Sequence, residues 1–302
     1  FANFKLMLPP LSEQQSIASF LDTKCGEIDS LISLQEEMIS ELQAYKQSVI
    51  TEAVTKGLDP NAKMNCCASR EKNDACISSS ETQPAIERKF KDSGVEWIGE
   101  IPEGWKVSPL KYIIKGHLQY GANESGVLYE EGLPRYVRIT DILDNKLRED
   151  IQKQSLTEQQ AEGFILKNND ILFARSGGTV GKSFIYKSEY GRCAFAGYLI
   201  KASINDDNDA EFVYFFTQSS AYDEWKRRIF IQATIQNIGA DKYSQLEIPL
   251  PFKEMQTKIV SFLKDKTSQI DSLISLKQQK IDELKSYKKS IIYEYVTGKK
   301  RV

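Results

Sequence analysis

Residues 8–57 and 250–299 are two copies of one segment. Laid over each other at a constant offset of 242 positions, with no gap, they agree at 25 of 50 positions. "IDSLISL" stands intact at 28–34 and again at 270–276. Chance does not produce a gapless match of that length, so the chain carries a true internal duplication. The period is far too long for a solenoid. It implies two halves that each end in the same element.

That element is helical. Ile28, Leu31, Ile32, Ile39, Leu42, Val49 and Ile50 fall largely three, four or seven apart, as do Ile270, Leu273, Ile274, Ile281, Leu284, Ile291 and Ile292. Glu, Gln, Lys and Ser fill the positions between, the pattern of an amphipathic helix near coiled-coil spacing. Ser12 followed by Gln15 fits a capping box for a short leading helix. Gly57 and Gly298 stand just past the periodic stretches, where a left-handed C-terminal residue is wanted. A helix over 28–56 would be about 44 Å long at ~1.5 Å per residue. Such a stripe needs a partner, and the nearest is its own copy. An antiparallel pair over 28–56 and 270–297 needs no long return crossing. It is therefore the expected arrangement, with Gln35 and Lys277 interrupting the seam and fixing register. The bland reading is two separate surface helices on a globular core.

The 302 residues allow one or two domains. A 41% apolar content fills a core, and no apolar run reaches the ~18 residues of a membrane span. The opening "FANFKLMLPP" shows no signal pattern and no initiator Met, so the expectation is a cytoplasmic chain that is part of something longer or processed. Forty basic and 42 acidic residues leave a net charge of −2, so any contact with a polyanion must come from local clusters. The five cysteines, Cys25, Cys66, Cys67, Cys76 and Cys193, read as reduced thiols. "CC…C" at 66–76 lacks zinc-ligand spacing, and the single histidine, His117, is distant in sequence.

Residues 58–90 are polar and aperiodic, the composition of a linker. From Lys91 the character changes. Trp97 and Trp105 stand between Gly and Pro turns and are expected to pin the start of a domain. Strand-like runs follow at 135–142, 170–177, 181–187 and 194–204, with helix-like runs at 156–166 and 210–230. The fold class expected is α+β: one mixed α/β domain over 91–249 and two long helices packed as an antiparallel coiled coil. The helical regions are expected over 8–57 and 250–302.

Catalytic constellations are missing. "RSGGTVGKS" at 175–183 ends like a phosphate loop, but the first required glycine is Ser176, and strand-like "FIYK" follows instead of a helix. The plainer reading is a tight Gly-Gly hairpin. The sharper one is a hairpin whose Arg175, Ser176, Thr179 and Lys182 meet something anionic, with Gly177 and Gly178 letting the backbone approach. A second constellation, "QATIQNIGADKYSQLEIPLP" at 232–251, clusters Gln232, Thr234, Gln236 and Asn237. Asn and Gln pair bidentately with adenine, and Arg with guanine; an ordinary polar loop has the same composition. Arg138 and Thr140 on the 135–142 run are further candidates. Lys226, Arg227 and Arg228 read equally as phosphate contacts or as a solvated helix face. Residues 98–249 hold 18 basic and 21 acidic residues, which counts against DNA binding on charge alone.

The chain resembles the specificity subunit of type I restriction-modification systems. "LPPLSEQQSIASFLD…IDSLI" looks like the family's conserved helical region, and "KDSGVEWIGEIPEGWKV" like the lead-in to a target-recognition domain. "ILFARSGGTVGKS" and "QATIQNIGADKYSQLEIPLP" look like that domain's internal hairpin and exit. The resemblance covers nearly all of the chain outside 65–90 and implies a non-catalytic DNA-reading subunit. Its recognition domain would read one half of a split target in double-stranded DNA. Its paired helices would scaffold two methyltransferase subunits and, in the full complex, restriction subunits. The partners would carry S-adenosylmethionine, ATP and Mg; this chain would hold no cofactor and no metal. Residues 1–7 look like the end of a preceding recognition domain, so the chain would act with a complementing N-terminal half or as a homodimer. The runner-up is a coiled-coil scaffold whose recognition domain is degenerate.

Overall fold

The computed structural model describes residues 9–58, 89–143, 145–231 and 237–301. Residues 1–7, 59–88 and the candidates Gln232, Thr234 and Gln236 lie outside the described residues. Among those described, six α-helices run Leu11–Lys56 (α1), Glu158–Ala161 (α2), Ala210–Phe216 (α3), Ser220–Ile231 (α4), Ala240–Ser244 (α5) and Lys253–Val296 (α6). No helix among them is long and apolar enough to cross a membrane. The chain divides into two compact units. One holds the residues up to Lys46 and from Lys264 onward, the other Gln47–Leu263; α1 and α6 each run through both.

In the first unit α1 and α6 lie antiparallel. Lys46 Nζ donates to both carboxylate oxygens of Asp271 at 2.7 Å, and Lys288 Nζ does the same to Asp29 at 2.6 and 2.7 Å. The residue numbers of the two pairs have the same sum, as an antiparallel register requires. Ile28, Ile32, Ile281 and Ile291 form the buried seam, flanked by Phe20, Leu21, Ile39, Leu284 and Tyr295. The Phe20 and Tyr295 rings meet at 4.6 Å. Positions 28, 32, 35, 39, 42 and 46 alternate by four and three, the spacing of a coiled-coil seam. Leu31 and Leu273, expected in the seam, lie one step beside it and are each 48% exposed. Val49 is partly buried against the core of the other unit, to which it belongs.

The long helices begin earlier than their apolar stripe. The short leading helix expected from Ser12 is continuous with α1: Ser12 is already helical, and Ser16 donates from its side chain to the Ser12 carbonyl. At 46 residues α1 is about 69 Å long. Its end is set by Gly57 at φ +76°, whose N–H donates to Ala53 O. Gly298, at φ +71°, ends α6, with Lys299 N–H reaching back to Glu294 O at 2.8 Å. Both are left-handed caps that an L side chain would strain.

The second unit is a mixed α/β body. An antiparallel sheet places strands in the order Ser183–Ile185, Ile171–Ala174, Leu199–Ala202, Gln119–Tyr120. Another runs Cys193–Phe195, Arg135–Val137, Gln154–Ser155, Val127–Leu128, with its first two strands parallel. Phe173, Phe212, Phe216, Tyr222 and Tyr243 are fully buried in the main core. The ends of the long helices are built into that core through Ile50, Ala53 and Val54 of α1 and Ile259, Val260 and Leu263 of α6. Trp105 packs edge-on against Phe212, as the expected anchor would. Several expected runs are shorter than their patterns. The helix at 156–166 stops at Ala161, before Gly163 at φ +81°. The helix at 210–230 breaks into α3 and α4, and the strand at 194–204 breaks at Gly197.

Candidate nucleic-acid interface

The segment 175–182 is not a tight two-residue hairpin. The strands Ile171–Ala174 and Ser183–Ile185 pair in register Phe173↔Ser183, and a broad loop joins them. Gly177 and Gly181 adopt φ near +80° at its two bends. The base of the loop is held by two buried tyrosines. Tyr222 donates to Gly181 O at 2.8 Å and Tyr243 to Ala174 O at 2.9 Å. Burial pushes both phenols above their ordinary range, so they remain donors.

The loop and the segment after residue 236 come together. Arg175 O accepts from Ile238 N–H at 2.9 Å, and Ser176 bridges Asn237 as an isolated antiparallel pair. The two candidate constellations therefore share one surface, on which Lys182 and Asn237 are exposed and Ser176 and Thr179 half-buried. The Arg175 guanidinium lies 5.1 Å from the centre of the Tyr120 ring. The Arg175 N–H donates to Tyr198 O at 2.9 Å, and Tyr198 is itself exposed.

Arginine pairing sorts the remaining candidates. Arg138 is committed to structure: its guanidinium grips buried Asp141 through Nε at 3.1 Å and Nη2 at 2.8 Å. It is therefore not presented for base contact. Thr140 is exposed on the same 3₁₀ turn, Ile139–Asp141. Arg135, Arg148 and Arg192 pair with Glu149, Asp150 and Glu158. The basic run of α4 is likewise engaged, Lys226 with Asp223, Arg227 with Glu224, and Arg228 with Glu96 and Glu224. Of the second unit's arginines, Arg175 alone has no acidic partner among the described residues.

Sequence reasoning missed Tyr120 and Tyr198. The signal was present: each adjoins a glycine, in "QYGA" and "AGYL". A Cβ on Gly121 would stand 2.3 Å from Ala196 O, so only glycine lets these two segments cross so closely. Among the described residues no group of three or more His, Cys, Asp or Glu could hold a metal.

The second unit is a mixed α/β body with a cationic and aromatic loop surface, and the first is an antiparallel helix pair. Comparison with known proteins gives that class its family. Residues 102–286 match the model of the type I restriction modification DNA specificity domain, and the chain belongs to that family. It is 25% identical over 279 residues to the type I restriction enzyme MjaVIII specificity subunit of Methanocaldococcus jannaschii, covering 87% of this chain and 55% of that one. It is 26% identical over 269 residues to the EcoKI specificity subunit of Escherichia coli K12, covering 86% and 50%. The chain thus spans about half the length of these curated relatives. A solved chain from a study of complex assembly in the type I R-M system superimposes with a TM-score of 0.67 at 17% identity, over 96% of this chain and 60% of that one, a likeness of fold.

Proposed function

We propose that this chain is the DNA-specificity component of a type I restriction-modification complex. It reads one half of a split duplex target through the 175–182 loop and the residues around Asn237. It performs no chemistry; methyltransferase and restriction subunits, carrying S-adenosylmethionine, ATP and Mg, supply the methyl transfer and cleavage.

One observation carries the half-target reading. Gln256, 1% exposed, donates to Pro251 O at 2.9 Å and to Asn208 Oδ1 at 3.0 Å, and accepts from Asp209 N–H at 2.8 Å. It thereby ties α6 to the recognition body. Its counterpart in the duplication is Gln14, which keeps the equivalent bond to Pro9 O at 2.7 Å and, among the described residues, no other. The same asymmetry holds for Ile50 and Val54, which are buried, against Ile292 and Val296, which are exposed. Among the described residues only one copy of the duplicated seat is occupied, which supports a second recognition domain on the other copy, from a complementing fragment or a second chain.

The scaffolding role has its own support. Beside the seam, Leu31, Leu34 and Tyr45 of α1 are exposed, and so are their counterparts Leu273, Leu276 and Tyr287 of α6. Equal apolar stripes on two helices suit two copies of one partner, the methyltransferase subunit. The test is to express the chain with a methyltransferase subunit and map methylated sites by sequencing. A target split into two half-sites, one unchanged whenever this chain is present, is the expected result. A partner complex that methylates without sequence preference would leave only the scaffold reading.

A further inference from the structure

We infer that Tyr120 is a positioning residue for base recognition, holding the Arg175 guanidinium ready for the edge of a guanine in the major groove. This rests on the proposed DNA-reading role and goes further, naming the base class and a residue that acts through another.

The argument begins with what arginines cost. A free guanidinium loses rotamer freedom when it binds, and a fork that must meet O6 and N7 together needs orientation as well as charge. Six of the second unit's arginines obtain orientation from carboxylates. An acid beside Arg175 would do the same and would also consume the donors that a base needs. An aromatic face orients the guanidinium plane while leaving its N–H groups free. Tyr120 provides such a face at 5.1 Å.

The platform is itself fixed from both ends. Tyr120 pairs with Ile200 at the edge of the main sheet, and its phenol oxygen accepts the Ala240 N–H at 3.0 Å. That hydrogen bond ties the ring to α5, which directly follows the segment bridged to Ser176. The backbone of Arg175 is held as firmly, donating to Tyr198 O and accepting from Ile238. Backbone and ring are thus clamped, and only the guanidinium fork is left to find a partner. Guanine offers the two acceptors that such a fork fits; adenine offers one acceptor beside a donor.

The test uses the full chain assembled with its methyltransferase subunit and a randomised double-stranded oligonucleotide pool, with bound sequences counted. Arg175→Ala is expected to relax preference at one guanine position. Tyr120→Leu, which keeps the strand and removes the aromatic face, should relax that same position by at least about threefold, the scale of a cation–π contact. Tyr120→Phe should retain most of the preference. The double variant should discriminate no worse than Arg175→Ala alone. Uniform weakening on all sequences by Tyr120→Leu, or an effect that adds to that of Arg175→Ala, would make Tyr120 merely structural and overturn the inference. If the wild-type complex selects no sequence from the pool, the reading role falls and takes this inference with it. A selective wild type whose Tyr120→Leu profile is unchanged removes the inference alone.

Discussion

Lys288 reaches across the helix pair to Asp29, and the duplication repeats this contact as Lys46 with Asp271. Asp29 and Asp271 are 242 positions apart, and so are Lys46 and Lys288. One interaction, written once in an ancestral segment, therefore occurs twice about a pseudo-two-fold axis between α1 and α6. Both lysines occupy seam positions of the heptad and carry their stems along the apolar groove while the charge reaches water. The Asp29 carboxylate, hydrogen-bonded to Lys288, holds that ammonium above its ordinary range. The pair specifies register more than it adds stability. Asp29→Lys is expected to lower the melting temperature of the chain by no more than about 2 °C, and Asp29→Lys with Lys288→Asp to recover it. Thermal unfolding of the wild type and both variants at low and high salt checks this. The single substitution alone should weaken further as salt is removed, because like charges then face each other.

Arg138 and Arg175 lie on the same unit and are expected to fail in opposite ways. Arg138→Ala strips buried Asp141 of its bidentate partner, leaving among the described residues a carboxylate with one backbone donor, the N–H of residue 138. The loss expected is about 1–3 kcal/mol of stability, with sequence preference unchanged. Arg175→Ala should leave unfolding within about 0.5 kcal/mol of wild type and alter preference. Denaturant titration together with selection from an oligonucleotide pool separates the two.

These contrasts mark what the sequence could carry. The helix pair was legible because an amphipathic period and a duplication are both linear patterns; its antiparallel sense came instead from connectivity, since such a pair needs no long return crossing. The split between Arg138 and Arg175 was half legible: Arg138 and Asp141 stand three apart, the spacing of a local capping pair, and the backbone N–H of Arg138 does donate to Asp141 at 2.8 Å. The approach of the Arg175 guanidinium over Tyr120 joins residues 55 positions apart, through a strand edge that no local pattern encodes. Nor could the exposure of Leu31 be told from that of Ile32, since adjacent apolar residues differ only by the phase of the seam.

The duplicated glutamines give a sharper contrast. Gln256→Ala removes three hydrogen bonds in a buried setting and leaves Asp209 N–H without its acceptor, for a loss of about 2–4 kcal/mol. Gln14→Ala, at the same place in the other copy, should change the unfolding of this chain by less than about 0.5 kcal/mol. Under the proposed function it should instead weaken binding of a complementing recognition domain. Equilibrium unfolding and a pull-down of that fragment read the two effects independently; equal destabilisation by both variants would remove the argument for an unfilled seat.

Acid should act on the second unit through its arginine pairs. Hydrogen bonding to Arg228 holds the Glu96 carboxyl below its usual range, and Arg192 does the same for Glu158. Lys153, with Arg135, lowers Glu149. A carboxylate whose folded pKa is depressed contributes stability above its unfolded value of about 4.3, and that contribution disappears as pH falls through the folded value. The melting temperature should accordingly stay level from pH 7 to about pH 5 and decline below about pH 4. All three carboxylates are exposed, so the decline should be shallow and should flatten further in high salt. Glu158→Gln removes one of the titrating groups while keeping the shape of its side chain. Its melting temperature should start slightly lower at pH 7 and converge on wild type as pH falls through the lowered folded value, below which Glu158 is protonated in both folded and unfolded chains. A constant offset across the whole range would mean that the Arg192 contact acts through packing and not through charge.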